Sequence, residues 1–525
     1  MEDYMAEKGR FLPHYDVIVV GAGMGGMTAA AKLAKEGKNV LLLEKHNLTG
    51  GYATSFVRGR YEFEVSLHEA CEFGDGKDGA GYGATRAMFD DVGVKMDWIK
   101  VPDAYRVILS DYDIDFTMPF GIENCIDAIE KLEPGNGKKV RNYFQLFKEI
   151  NDALEYIGSC GAAGPEPKVM ATKYSSFLRT AAYEASEVNA SFKFGPKTTQ
   201  VLNAYYGYIS RHLSEASFIV WAQMIYLYLR DGAHIPTKTS HEIANALEKA
   251  FREHGGQVET NVKVVEYLLE NGRCVGVKTE DGTEIRADFV ISNGNPTKSI
   301  VDMMDRSQVP EEAYKLAGAR KQLASPFVVY IGLDATAQEL GIDSYEYFIG
   351  HNMDTEEIYK ATNKWQPNHR VSATIPDVAI PGFSGEGRCQ MNLTAMYSPD
   401  AINDSDLDKY NYETEKERFA DNLIKNFEEG TGIKIRDHIE EITIATPATF
   451  TRYTEAFRGN IYGYACTAVD GAVPRTLAQE KERYIPGLDF VGSAGFRAHG
   501  YSSVMTNGYQ VAQIVLRKLG GAKNG

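Results

Sequence analysis

Three groups of residues in this chain have types and spacings that chemistry can use. Gly21, Gly23 and Gly26 spell GxGxxG, with Gly25 between them, directly after the apolar run DVIVV; Glu44 closes the next apolar run, NVLLL. Glycines at that spacing let backbone amides approach a pyrophosphate, and a carboxylate at the end of the second run accepts from ribose hydroxyls. His68 and Glu69 stand side by side in VSLHEACEF. A histidine titrates near neutral pH and suits proton transfer at a carbon; Glu69 would orient it or act alone. Near the C-terminus Arg497, His499 and Tyr501 follow one another in GFRAHGYSS. Arg497 offers a two-pronged fork for a carboxylate, and His499 a second acid/base group.

Such groups need elements to hold them. The segment Tyr15 to Glu44 reads as a complete β-α-β unit: a strand buried on both faces, the glycine turn, an Ala-rich helix with apolar residues at i, i+3, i+4 and i+7, Gly37 as terminator, and a second apolar strand. The helix N-terminus would present amides and positive dipole to phosphate, and Glu44 favours an unphosphorylated ribose. From about Glu72 to Arg230 the pattern is mostly helical and rich in Tyr and Phe. Tyr205, Tyr206, Tyr208, Tyr226 and Tyr228 read as core rather than pocket. A helix is expected over HEIANALEKAFREHG, followed by hairpins at Asn271-Gly272 and Asp281-Gly282. An acidic helix is expected from Tyr412 to Glu429. The last strand, GLDFVGSA, leads into a glycine-hinged amphipathic helix.

Composition removes several classes of function. With 56 basic and 72 acidic side chains among 525 residues the net charge is −16, which disfavours nucleic acid and a polybasic membrane patch. Six cysteines without CxxC spacing exclude a zinc ribbon and argue for a reducing, cytoplasmic setting. HExxH and GxSxG are absent, so no metal site and no nucleophile elbow is expected. The N-terminal residues lack the pattern of a signal peptide. The most apolar long window, Ala216 to Leu229, has 14 residues, short of the ~20 that span a bilayer. It reads as a core helix or as a wall of a lipid cavity, and any membrane contact is expected to be peripheral.

The block KHNLTGGYATSF after Glu44 resembles the FAD-dependent flavin amine oxidase superfamily, in particular the branch of phytoene desaturases, carotenoid cis–trans isomerases and retinol saturases. TSFVRGRYEFEVSLH, the stretch from IPTKTSHEIANAL to ADFVISNGNP, and PGLDFVGSAGFRAHGYSSVMTNGYQVAQ are similar to further blocks of that branch, in the same order. The resemblance implies an α/β fold: a Rossmann-type FAD-binding domain from 1–75, 236–300 and 484–525, with an inserted α+β substrate-binding domain from 76–235 and 301–483. It implies non-covalent FAD held by Gly21, Gly23, Gly25, Gly26, Glu44, Lys45, Gly50, Gly51, Tyr52, Val262, Gly492, Ser493, Ser503, Val504 and Met505. It places His68 and Glu69 after a strand that leads toward the flavin ring, and Arg497, His499 and Tyr501 beside the flavin end. The implied chemistry is desaturation, saturation or isomerisation of carbon–carbon bonds in a lipophilic substrate. Where the family often has Arg or Ser this chain has Tyr52. Lys238-Thr239 replaces two glycines, and Arg497 and His499 replace small residues of carotenoid enzymes. An unsaturated fatty acid or isoprenoid with a polar end fits that last change better than a symmetric carotene. No second strand–GxGxxG–helix unit is present, so a separate NAD(P) domain is not expected. A flavin amine oxidase and a lipid-binding escort protein of the GTPase dissociation-inhibitor type share the implied fold.

Overall fold

The computed structural model describes residues 10–76, 82–160, 164–402, 412–478, 482–495 and 499–521. Its first sheet is assembled from distant segments. Tyr15–Val20 lies between Val40–Leu43 and Glu284–Ser292, parallel to both, and Gln257–Glu259 and Leu488–Phe490 extend the sheet in parallel. Strands buried on both faces need apolar side chains throughout, which is why DVIVV and VLLL carry so few polar groups. The hairpin expected at Asn271-Gly272 joins Val264–Glu270 to Arg273–Thr279, with φ of 51° and 76° at the two turn residues. A two-residue turn with both φ positive matches the twist of the flanking strands.

One face of this sheet carries the helices Met24–Lys35, His241–Glu253 and Tyr501–Gly521. Their apolar sides meet in one core that also takes Met88, Phe89 and Val92. The other face gathers Ile300, Ala313 and Ala317. The expected glycine-hinged helix is observed as Tyr501–Gly521, running unbroken through Gly508. A Cβ built at Gly508 would lie 2.1 Å from the Gly25 carbonyl oxygen, which makes this glycine the point where the last helix crosses the first.

A second sheet has the order Ile439–Ala445, Ser325–Leu333, Cys389–Tyr397, Val371–Thr374, Glu346–Gly350, Tyr105–Leu109, Ile114–Met118. The last two strands lie inside the stretch expected to be mostly helical; each is only five residues long, too short for alternation to stand out against the helices that follow. Phe327, Val329 and Ile331 point to the acidic helix, observed as Tyr412–Thr431, through Phe419, Leu423 and Phe427. Val328 and Tyr330 point the other way, into the cavity described below.

The helices of the middle segment form a third core around Phe218–Asp231. That apolar window contributes to both core and cavity: Trp221, Ile225 and Leu229 are buried in the core, while Val220, Gln223, Met224 and Leu227 line the cavity. No helix among the described residues is long and apolar enough to cross a membrane. The six cysteines are all free.

Candidate active site

The glycine turn is built by steric necessity. Gly21 has φ +93°, a conformation that residues with a Cβ rarely adopt. Cβ atoms added elsewhere would collide: at Gly23 with the Asn293 side chain at 2.5 Å, at Gly25 with the Gly492 amide nitrogen at 2.7 Å, and at Gly26 with the Gly21 carbonyl at 2.2 Å. At Gly51, with φ +64°, the added atom would sit 3.1 Å from the Gly23 Cα. Gly23 starts the Met24–Lys35 helix without a side-chain cap, and Gly21, Gly23, Gly25, Gly50 and Gly51 all border one large cavity. Gly26 packs inside the turn instead. Asn293, which sequence reasoning passed over, accepts from the Gly26 amide at 3.1 Å and ties the turn to the Glu284–Ser292 strand. Its position directly after an apolar strand, in ISNGNP, was the available signal.

Glu44 is buried at the end of its strand and accepts from the Ala22 and His46 amides, each at 2.8 Å. Those bonds fix the carboxylate beside the glycine turn and occupy one lone pair on each oxygen. Val262 donates its amide to the Glu44 carbonyl at 2.8 Å and lines the cavity. Lys45 reaches Glu455 at 3.2 Å, and Lys263 and Lys298 pair with the same carboxylate. Burial raises the Glu455 carboxyl, but Lys298 and Lys45 outweigh it and hold the group down at about 2.

The cavity has a volume of about 940 Å³ and runs between the two sheets and the middle helices. Gly492, Ser493, Ser503 and Val504 line it at the start of the last helix, whereas the Met505 side chain is fully buried in the core beneath. Tyr52 and Tyr501 also line it, with hydroxyls committed to the protein. Tyr52 donates to the Asn460 carbonyl at 2.9 Å, and Tyr501 donates to the Tyr52 carbonyl at 3.2 Å.

His68 and Glu69 lie in the loop after the Tyr61–Glu64 strand, not at a helix start. His68 lines the cavity with 19% of its side chain exposed, and its Nδ1 meets Glu346 Oε1 at 2.8 Å. The single Tyr208 O–H lies within reach of both Glu346 oxygens, at 2.9 Å from Oε1 and 2.8 Å from Oε2. Behind them Tyr205 stacks on Tyr208 at 5.1 Å and donates to Glu69 Oε1 at 2.9 Å. Glu69 Oε2 is buried without a hydrogen-bond partner. Burial, and then the Glu346 charge, push the Glu69 carboxyl well above the usual range, so Glu69 holds a proton. Tyr208 and Tyr228 therefore border the cavity rather than serving only as core.

His499 reaches the same cluster from the C-terminal side, donating from Nε2 to the Tyr208 carbonyl at 2.8 Å. Burial lowers it to about 4, so the imidazole is neutral near pH 7 and offers no charge to a carboxylate. Arg497 lies outside the described residues. Glu346 and Tyr208 are the two members of this cluster that sequence reasoning missed. A glutamate within the apolar strand EYFIG, where all five residues are buried, was the signal for the first. Among the described residues no group of acidic, His and Cys side chains is arranged to hold a metal ion.

A dinucleotide-type cradle open to a large cavity that His68 and Tyr208 also line defines a Rossmann-type nucleotide-binding class. Residues 19–90 match the model of an NAD(P)-binding Rossmann-like domain. The chain is 24% identical to all-trans-retinol 13,14-reductase of Danio rerio, over 96% of this chain and 86% of that protein. It is also 24% identical to prolycopene isomerase 1, chloroplastic, of an Oncidium hybrid cultivar, over 96% and 84%. Among solved structures, an oxidoreductase from Methanosarcina mazei shares the fold with a TM-score of 0.64 at 17% identity, over 95% of this chain and 99% of that one. Over nearly its whole length the chain is thus similar to retinol 13,14-reductases and prolycopene isomerases, on a Rossmann-type nucleotide-binding fold. The close-approach glycines with Glu44 fit FAD as the cofactor.

Proposed function

We propose that this protein is an FAD-dependent oxidoreductase or isomerase acting on carbon–carbon single or double bonds of a lipophilic, unsaturated molecule. An isoprenoid or fatty acyl chain with one polar end is the favoured substrate. The observation that carries this reading is the single cavity of about 940 Å³ that joins the glycine cradle to His68 along a wall of Val220, Met224, Leu227, Val328 and Phe348. FAD, when bound, supplies two-electron hydride exchange with a substrate carbon. The protein's own part is the proton and the exclusion of water. His68 gives a proton to the carbon beside the one that gains hydride, turning a double bond into a single bond; the reverse transfers desaturate. The apolar wall holds the chain of the substrate, and Tyr208, Tyr228 and His499 meet its polar end.

FAD is held without a covalent bond by the cradle residues, with Lys45, Val262 and Glu44 at the adenosine end and the start of the Tyr501–Gly521 helix toward the flavin end. Segments near 10–75, 236–300 and 484–521 carry the cofactor. The remainder, chiefly the second sheet and the middle helices, shapes the substrate space. Both relatives act on polyene lipids by their names, which supports the substrate class.

The test is anaerobic. Reduced holoprotein is mixed with all-trans-retinol, with a poly-cis carotene and with an unsaturated fatty acid. Flavin absorbance is followed, and products are read by mass spectrometry and chromatography. Reoxidation with a gain of two hydrogens, or a changed double-bond geometry at constant mass, is the expected result. If no lipid is altered and a primary amine bleaches the oxidised flavin instead, the proposal is wrong and an amine oxidase is left.

A further inference from the structure

The His68 ring is held by a residue 278 positions away in sequence. Glu346 sits in Glu346–Gly350, on the face of the strand that points with Phe348 toward the cavity wall, and its side chain is fully buried. The single Tyr208 O–H lies within reach of both oxygens, nearer Oε2, and Oε1 also receives His68 Nδ1. A carboxylate in that arrangement is an acceptor only, so the nitrogen facing it must carry the hydrogen. Nδ1 is thereby committed, and Nε2 is the ring nitrogen left for a ligand in the cavity.

Several ionisable groups surround this pair. Tyr345 donates to the His68 carbonyl, which pins the backbone of the loop. Tyr228 donates to the Glu69 carbonyl at 3.3 Å, and Tyr205 occupies Glu69 Oε1. Tyr462 packs on His499 at 4.6 Å, and His499 binds the Tyr208 backbone. Glu64 lies beyond, satisfied by Ser66, Leu67 and Ser240. Two carboxyl groups, Glu69 and Glu346, thus share one buried cluster, and they differ in their partners. Glu69 has one donor and one orphaned oxygen, whereas Glu346 has donors on both oxygens. Like charges at close range cannot both persist in a buried site, so the negative charge belongs where the donors are.

We propose that Glu346 is the positioning residue of His68: it fixes the Nδ1–H tautomer and aims Nε2 into the cavity, with Tyr208 holding the Glu346 carboxylate in register. This rests on the reading of His68 as the proton-transfer group and adds the residue that makes the ring competent for it. Nε2 must first take up a proton; when the doubly protonated ring then gives that proton to a substrate carbon, it returns to the neutral Nδ1–H form that Glu346 holds, so no ring flip is needed before the reverse transfer.

The test reads the tautomer directly and needs no turnover. FAD-loaded protein labelled with ¹⁵N-histidine is compared with Glu346→Leu, Glu346→Gln and His68→Gln, the last to assign the signal. Spectra are recorded at alkaline pH, where the rings are neutral. Wild type is expected to show the Nδ1–H form at His68. Glu346→Leu is expected to revert to the Nε2–H form that free imidazole side chains favour. Glu346→Gln, which keeps an acceptor oxygen, is expected to restore Nδ1–H. Wild type in the Nε2–H form overturns the proposal without any variant, and so does a Glu346→Leu protein that binds FAD normally and keeps Nδ1–H. Because the spectrum does not depend on which lipid is turned over, a failed lipid panel and a failed tautomer assignment are separate outcomes.

Discussion

His68 and Glu69 are adjacent in sequence but differ in their surroundings, which sets what each does when changed. His68→Ala is expected to retain FAD and to slow reoxidation of the reduced flavin by lipid by about 10²–10⁴-fold, the usual contribution of a general acid or base. Stopped-flow absorbance at saturating lipid checks this, and a wild-type rate removes His68 from the chemistry. Glu69 carries its proton in the folded protein because burial and Glu346 raise its affinity for it. The folded state therefore binds more protons than the unfolded one above the ordinary carboxylate range, and stability falls as pH rises through that window. Glu69→Gln keeps the shape and the neutral state, so its denaturant midpoint is expected to be flatter with pH than that of wild type. Equal slopes for the two proteins would show that Glu69 is not the protonated carboxyl.

At the level of elements, the nucleotide turn depends on a helix contributed by the far end of the chain. The Tyr501–Gly521 helix crosses Met24–Lys35 so closely that Gly508 faces the Gly25 backbone, while the amide of Gly492 crowds Gly25 from the last strand. Gly508→Val places side-chain atoms where the Gly25 carbonyl now lies. Overpacking of this kind costs about 1–3 kcal/mol and shifts the backbone. Thermal unfolding and bound-flavin content are both expected to drop, since the displaced element is the phosphate turn itself. A variant that loses stability but binds flavin like wild type would separate the helix crossing from the cradle.

Across the whole molecule the cavity is lined at the cradle by Gly21, Gly23, Gly25, Gly50, Gly51, Val262, Gly492, Ser493, Ser503 and Val504, so a cofactor bound there would tie together segments from both ends and the middle. Binding to the folded state alone adds RT ln(1 + [L]/Kd), about 2.7 kcal/mol at a hundredfold excess over Kd. Stripping the flavin is therefore expected to lower the melting temperature, and adding FAD back to restore it in a concentration-dependent way. No shift with FAD would contradict the cradle. The sequence was most informative where a local pattern meets a local demand. Strand, glycine turn, helix and acidic terminator follow one another within Tyr15 to Glu44, and hairpin turns announce themselves as Asn-Gly and Asp-Gly because only such residues accept the required φ. His68 was legible as an unpaired titratable group near the end of a strand. What surrounds His68 was not, because its partners come from 140 and 278 residues away and meet it only when the second sheet and the middle helices close over the cavity. Local spacing fixes backbone geometry over a few residues. The proton on Glu69, the carboxylate on Glu346 and the hydrogen on Nδ1 depend on burial and on neighbours, and those exist only once the chain has folded.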